Sequence, residues 1–206
     1  MIVSCIIFAF GVKTVMVILA SASPRRKDIL SELGVPFTVI TADTNENCDE
    51  CDPCLFVKEL AERKGMAVYQ KLSSEQSDAI IISADTVVYC DGKILGKPCD
   101  EADAIRMISS LSGKEHSVIS GVAITVGGKS ASIACSTRVR VRDIPKEKIE
   151  EYVATGEPMD KAGAYAIQGR FSVWIDSIDG CYFNVVGLPV SALNKLYFDV
   201  TGKYII

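Results

Sequence analysis

The chain has 206 residues, 49% apolar and 23% charged, which fits a globular domain with a sizeable core and excludes a disordered, collagenous or low-complexity polymer. Twenty-two cationic side chains against 26 acidic ones leave a net charge of −4, a poor default for coating duplex DNA or an anionic membrane. The single histidine, His116, excludes multi-histidine metal sites.

Met1–Val12 carries no charge, Lys13 follows, and Val15–Leu19 is apolar again. A spanning helix wants about 20 apolar residues, and a secretory signal wants its cation before the apolar run. Residues 1–15 therefore read as an apolar extension ahead of a buried strand, with Met16 as an alternative start. Residues 16–206 read as one domain. Ser23-Pro24 opens a helix over Pro24–Leu33 with a hydroxyl N-cap and a proline in its first turn. Phe37–Thr41 reads as a strand and Thr44–Pro53 as an acidic loop. Asp52-Pro53 starts a second helix, Leu55–Lys71. Ala79–Ser83 is a buried strand, with Val87–Tyr89 continuing it past a break. Spacing makes Ala102–Leu111 helical. Ser117–Val141 is rich in β-branched residues around a Gly127-Gly128 turn, a hairpin. Pro145–Ala154 reads as a helix, Phe171–Ile175 and Tyr182–Val186 as strands, and Pro189–Tyr197 as a closing helix. The alternation predicts an α/β or mixed α+β domain.

Four stretches carry chemistry. Ser21-Ala22-Ser23-Pro24-Arg25-Arg26 joins a strand to a helix start, where free N–H groups, hydroxyls and guanidiniums suit an anion. Solvated arginines behind an ordinary cap are the plainer alternative. Ser83-Ala84-Asp85-Thr86 delivers a carboxylate at a strand end, able to hold a divalent metal or orient a water; taken alone, a turn aspartate explains it as well. Gly96-Lys97-Pro98 holds a lysine on a constrained loop. Asp160–Gly169 combines Lys161, a run of small residues and Gln168, whose amide can read the edge of a base. Lys64 lies on an apolar helical stripe, where snorkelling competes with reaching into a cleft. No GxxxxGK[ST] or GxGxxG occurs.

Six collinear strings, LASASPRR (Leu19–Arg26), SADTVV (Ser83–Val88), GKP (Gly96–Pro98), LSGKEHSV (Leu111–Val118), EPMDKAGAYAIQG (Glu157–Gly169) and NVVGLP (Asn184–Pro189), resemble those of the Maf family of nucleoside triphosphate pyrophosphatases. The resemblance implies an elongated mixed sheet with two α/β lobes flanking a substrate cleft, as in inosine triphosphatases. It implies cleavage of nucleoside triphosphates between the α and β phosphates with Mg²⁺ or Mn²⁺, a cytoplasmic house-cleaning role, and a homodimer with neither nucleic-acid nor membrane partner. It makes Asp85 the general base or metal-bound orienter of water, Glu46 the second acid at the metal, and Lys97 part of the catalytic set. Ser21, Ser23, Arg25, Arg26, Lys64 and Lys161 would grip the polyphosphate, and Thr86 and Gln168 would position the nucleotide. KAGAYAIQG and NVVGLP resemble the branch taking dTTP and UTP. The alternatives are the same chemistry on 7-methyl-GTP, or a nucleotide-binding regulator of cell division.

The chain departs from the family pattern in places. Asn45-Glu46 stands where two acids are common, and Gly65 stands where alanine is usual, a change that should matter little. Cys48-x-x-Cys51-x-x-Cys54 has the spacing of a zinc or iron–sulfur ligand set, and a thiol at Cys54, just inside a helix, has reason to ionise readily. A cysteine-bearing loop of reduced thiols is the plainer reading.

Overall fold

The computed structural model describes residues 15–45 and 48–206. Both the apolar extension, save Val15, and Glu46 lie outside the described residues. Seven strands form one mixed sheet. Strand β1 (Val17–Leu19) lies parallel to β2 (Thr38–Val39) and to the first part of β3 (Ile80–Cys90). Strand β4 (Lys93–Leu95) turns back antiparallel onto the last part of β3. The other edge of β3 continues antiparallel into β5 (Glu115–Val126), β6 (Lys129–Val141) and β7 (Ile175–Asp179).

The helices divide the sheet. On one face lies α2 (Pro53–Tyr69), over Ile81, Val87 and Ile119. The other face carries two cores end to end along the long strands. Helices α1 (Pro24–Glu32) and α6 (Val190–Thr201) cover Ile80, Ile82, Ala84, Val122 and Ile124. Helices α3 (Glu101–Leu111) and α4 (Lys146–Val153), with Tyr165 and Phe171, cover Val88, Val118, Val139 and Val141. These are the two expected lobes, each facing the sheet with one apolar helical stripe.

Helix α2 approaches the sheet at two glycines. A Cβ on Gly121 of β5 would stand 2.6 Å from the Val57 carbonyl carbon and 2.8 Å from Lys58 N. A Cβ on Gly65 would meet Thr125 Oγ1 at 2.5 Å and Ser83 Oγ at 2.9 Å. The Ser83 hydroxyl is held there by donating to Ala61 O at 2.6 Å. The absent methyl at Gly65 is therefore in use, contrary to the expectation that this departure matters little.

Four local expectations change. β3 runs unbroken from Ile80 to Cys90, because β5 pairs with it through Asp85 and Thr86. Arg170–Trp174 is a 3₁₀ turn that buries Phe171, and the strand begins only at Ile175. Tyr182–Val186 is a short helix, α5, with Asn184 fully buried and Gly187 at φ 116° ending it. Ser23 makes no capping bond to α1, whereas Asp52 caps α2 by accepting from Cys54 N at 2.8 Å and Leu55 N at 3.0 Å.

Candidate active site

β1 and β4 share one edge of β3 but do not meet. β1 pairs with Ile80–Ile82 and β4 with Val88–Cys90. Between them Ser83–Val87 has no strand partner on that edge. A cleft of about 1140 Å³ opens there, between the two lobes. Ligand sites in open α/β sheets sit at such interruptions of strand order.

Every expected site residue that the structure describes lines this cleft. Ser21, Ser23, Arg25 and Arg26 come from the loop after β1 and the first turn of α1. Lys64 comes from α2, Asp85 and Thr86 from β3, and Lys97 from the loop after β4. Lys161 and Gln168 come from the loops between α4 and β7. Alternation along β3 sends Asp85 and Thr86 to opposite faces. Asp85 turns toward α2, where Lys64 Nζ donates to Oδ1 at 2.6 Å. Both side chains are largely buried, at 18% and 12% exposure for Lys64 and Asp85. Lys64 thus reaches into the cleft. Gly121 pairs directly with Asp85 across β5, so the close seat of α2 on that glycine brings the lysine to the carboxylate.

Thr86 turns to the lobe face. There the Arg26 guanidinium donates to Ala84 O (2.8 Å), Gly187 O (2.8 Å), Thr86 Oγ1 (3.1 Å) and Ser21 Oγ (3.2 Å). Arg26 ties the first helix, the open strand edge and the turn after α5 into one wall, a role in addition to the expected phosphate contact. Arg25 reaches Asp160 at 3.4 Å. Lys161 contacts Asp160 at 2.5 Å and donates to Glu157 O at 2.6 Å. Partial burial works against ionisation of Asp160, but the Lys161 ammonium and the Arg25 guanidinium outweigh it and hold its carboxyl below the usual range.

The run of small residues does what small residues allow. Gly163, at φ 66°, lies over Val88, whose Cγ2 would stand 2.6 Å from a Cβ there. Gly163 N donates to Gly96 O at 2.9 Å, joining the Lys161 and Lys97 loops. Ala164 follows at φ 60°, a left-handed conformation that costs energy outside glycine. His116 sits behind this loop, 4% exposed, with Nε2 2.7 Å from the Tyr165 hydroxyl. Burial pushes its imidazole down to about 4, so it is a neutral packing element.

Glu157, Ser120 and Asn184 were given no role from sequence. Glu157 accepts from Tyr152 Oη at 3.0 Å and from Arg170 N at 3.1 Å, fixing the loop that carries Gln168. Its place inside EPMDKAGAYAIQG was the available signal. Ser120 lies in a plain β-branched run and offered none.

Among the described residues no three His, Cys, Asp or Glu side chains converge as a metal cluster. Cys48 Sγ donates to Glu59 at 3.1 Å, while Cys51 Sγ turns to Asp49 O at 3.7 Å. The spacing does not bring the three thiols together. Burial pushes the Cys54 thiol up, and the Asp52 carboxylate adds to it. The expected readily ionised thiol is absent because burial, and after it the neighbouring capping acid, disfavours the thiolate.

The Maf-like protein family model matches residues 16–199. A dTTP/UTP pyrophosphatase of Thermococcus kodakarensis is 44% identical over 191 residues, 91% of this chain and 100% of that protein. One from Dictyoglomus turgidum is 47% identical over 87% of this chain and 93% of its own length. Another, from Clostridium beijerinckii, is 48% identical over 88% of this chain and 96% of its own. Sharing nearly half its residues with proteins of matching length, and matched by the family model almost throughout, the chain belongs to the Maf family.

Proposed function

We propose that the chain hydrolyses dTTP, UTP and modified pyrimidine nucleoside triphosphates to the monophosphate and pyrophosphate. One observation carries the reading: Asp85, held by Lys64 at 2.6 Å, stands in the cleft that gathers cations from separate elements. The relatives' names support the choice of bases.

In this reading Arg25, Lys97 and Lys161 receive the polyphosphate in the cleft. Lys64 aims the Asp85 carboxylate. Asp85 takes a proton from a water that attacks the α-phosphorus in line, and the α–β bridging oxygen leaves with the pyrophosphate. Charge growing on that leaving group is met by the surrounding cations. Asp85 is the one described carboxylate set into the β3 wall. Mg²⁺ ordinarily takes one or two carboxylates together with substrate phosphates, so this donor set fits a divalent ion bound jointly with the nucleotide. Asp85 and Glu46 would hold it, and it would neutralise phosphate oxygens. No helix among the described residues is long and apolar enough to cross a membrane. A cytoplasmic homodimer belongs to the same proposal.

The test is pyrophosphate release from a panel of nucleoside triphosphates with Mg²⁺ or Mn²⁺, beside Asp85→Asn. Release from dTTP and UTP is expected, with a loss on the order of 10²–10⁴-fold in the variant. Near-normal turnover by Asp85→Asn would remove it from the chemistry. A best rate on 7-methyl-GTP would keep the reaction and overturn the choice of base.

A further inference from the structure

Thr86 and Ser120 are cross-strand partners on the lobe face of the sheet, at the seam between the two cores. Their oxygens are 2.8 Å apart. Ser120 is fully buried, so its hydroxyl bonds only within the protein. Its other neighbour is the main-chain oxygen of Asn184, at 3.0 Å. That oxygen can only accept, and a serine has one proton to give. Were the proton aimed at Thr86, two lone pairs would face each other at 3.0 Å in a dry site, where such repulsion is strongest. Both contacts become hydrogen bonds in one arrangement: Ser120 donates to Asn184 O, and Thr86 donates to Ser120. On its other side the Thr86 oxygen accepts from Arg26 Nη2 at 3.1 Å.

We propose that Ser120 is a positioning residue that fixes the Thr86 hydroxyl, so that Thr86 presents a lone pair and no proton to the cleft. The proposal rests on the cleft being the nucleotide site. The far end of the chain of bonds is anchored as well. Asn184 Nδ2 donates to Val118 O at 2.8 Å and to Thr137 Oγ1 at 3.0 Å. Thr137 Oγ1 in turn accepts from Cys181 N at 3.0 Å and lies 3.2 Å from Cys181 O. The acceptor carbonyl is therefore locked to β5, β6 and the start of α5. A Thr86 oxygen held this way recognises a hydrogen-bond donor on the nucleotide and repels an acceptor in the same place.

Ser120→Ala removes the acceptor of the Thr86 proton and lets that proton swing into the cleft. kcat and KM for dTTP are measured in the wild type, Ser120→Ala, Thr86→Val and the double variant, with melting temperatures alongside. Ser120→Ala should raise KM roughly five- to tenfold, the scale of one buried hydrogen bond, with kcat within about twofold. In the Thr86→Val background the same change should do nothing further. An unchanged KM, or an equal rise in both backgrounds, overturns the proposal. A second measurement needs no variant. The Thr86 hydroxyl proton should give a slowly exchanging NMR resonance with a cross-peak to the Ser120 β-protons. Fast exchange with water overturns the proposal whether or not nucleotide is turned over. A wild type that releases no pyrophosphate would sink the proposed function, and the hydroxyl resonance would then decide the Ser120 arrangement alone.

Discussion

Replacing Gly121 with alanine tests how the Lys64–Asp85 pair is assembled. The new Cβ would lie 2.6 Å from the Val57 carbonyl carbon and 2.8 Å from Lys58 N, both main-chain atoms of α2. Neither can rotate away as a side chain would. Restoring carbon–carbon contact of about 3.5 Å needs the helix to retreat by roughly 0.9 Å. Overpacking of this kind costs about 1–3 kcal/mol. In a domain of this size that is a fall in Tm of roughly 2–12 °C, at about 2–4 °C per kcal/mol. The same retreat draws Lys64 away from Asp85, now 2.6 Å distant. A displacement near 1 Å at a reacting group is worth on the order of 10²-fold in rate. Differential scanning calorimetry and pyrophosphate release on one preparation read both effects. Gly96→Ala, where a Cβ meets nothing within 4 Å, is the control for stability. A Gly121→Ala protein that melts within a degree of the wild type, with kcat/KM within twofold, would show that the glycine seat does not set the Lys64–Asp85 contact.

Two further outcomes follow from the same geometry. Burial holds the His116 imidazole at about 4, below its usual 6.5. The unfolded chain then binds more protons between those values, so this contribution is complete above pH 6.5 and is lost as pH falls toward 4. It amounts to roughly 3 kcal/mol, with about 2 kcal/mol gone by pH 5. Urea unfolding of wild type and His116→Gln at pH 7.5 and 5 should show a shallower pH dependence in the variant; equal slopes would contradict it. Asp52→Ala frees the N–H groups of Cys54 and Leu55 at the head of α2. Loss of about 1 kcal/mol is expected in chemical denaturation, and a variant as stable as the wild type would mean that water replaces the cap without cost.

Much of this molecule was legible in the chain, for identifiable reasons. The β5–β6 hairpin announced itself because two long β-branched runs flank Gly127-Gly128, and both periodicity and turn chemistry agree there. The lining of the cleft was legible in part, because Arg26, Asp85, Lys97, Lys161 and Val186, which the fold gathers there, each fall within one of the ordered strings, whereas Lys64 lies on α2 outside every string. Tyr182–Val186 misled because Tyr, Phe and Val favour strands. What decides that segment is tertiary: Asn184 is buried whole, with its amide bonded to Val118 O and Thr137. Arg26 could be marked as a cation but not as a brace, because three of the four acceptors named for it lie 58, 60 and 161 residues away. Asp85 was expected at a strand end, because the apolar run stops at Ser83; pairing with β5 carries the strand onward regardless of that change in composition.

The interrupted edge of β3 bears on self-association as well as chemistry. Bare strand edges invite another chain to add on, and proteins ordinarily blunt them with charge or cover. Here the bare stretch is only Ser83–Val87, bracketed by β1 and β4. A strand of ordinary length, about five or six residues, would have to fill that stretch from end to end. The Arg26 guanidinium already occupies the Ala84 carbonyl. The two flanking strands and the Arg26 brace leave an added strand little free edge to hold, and in that way blunt the opening against polymerisation.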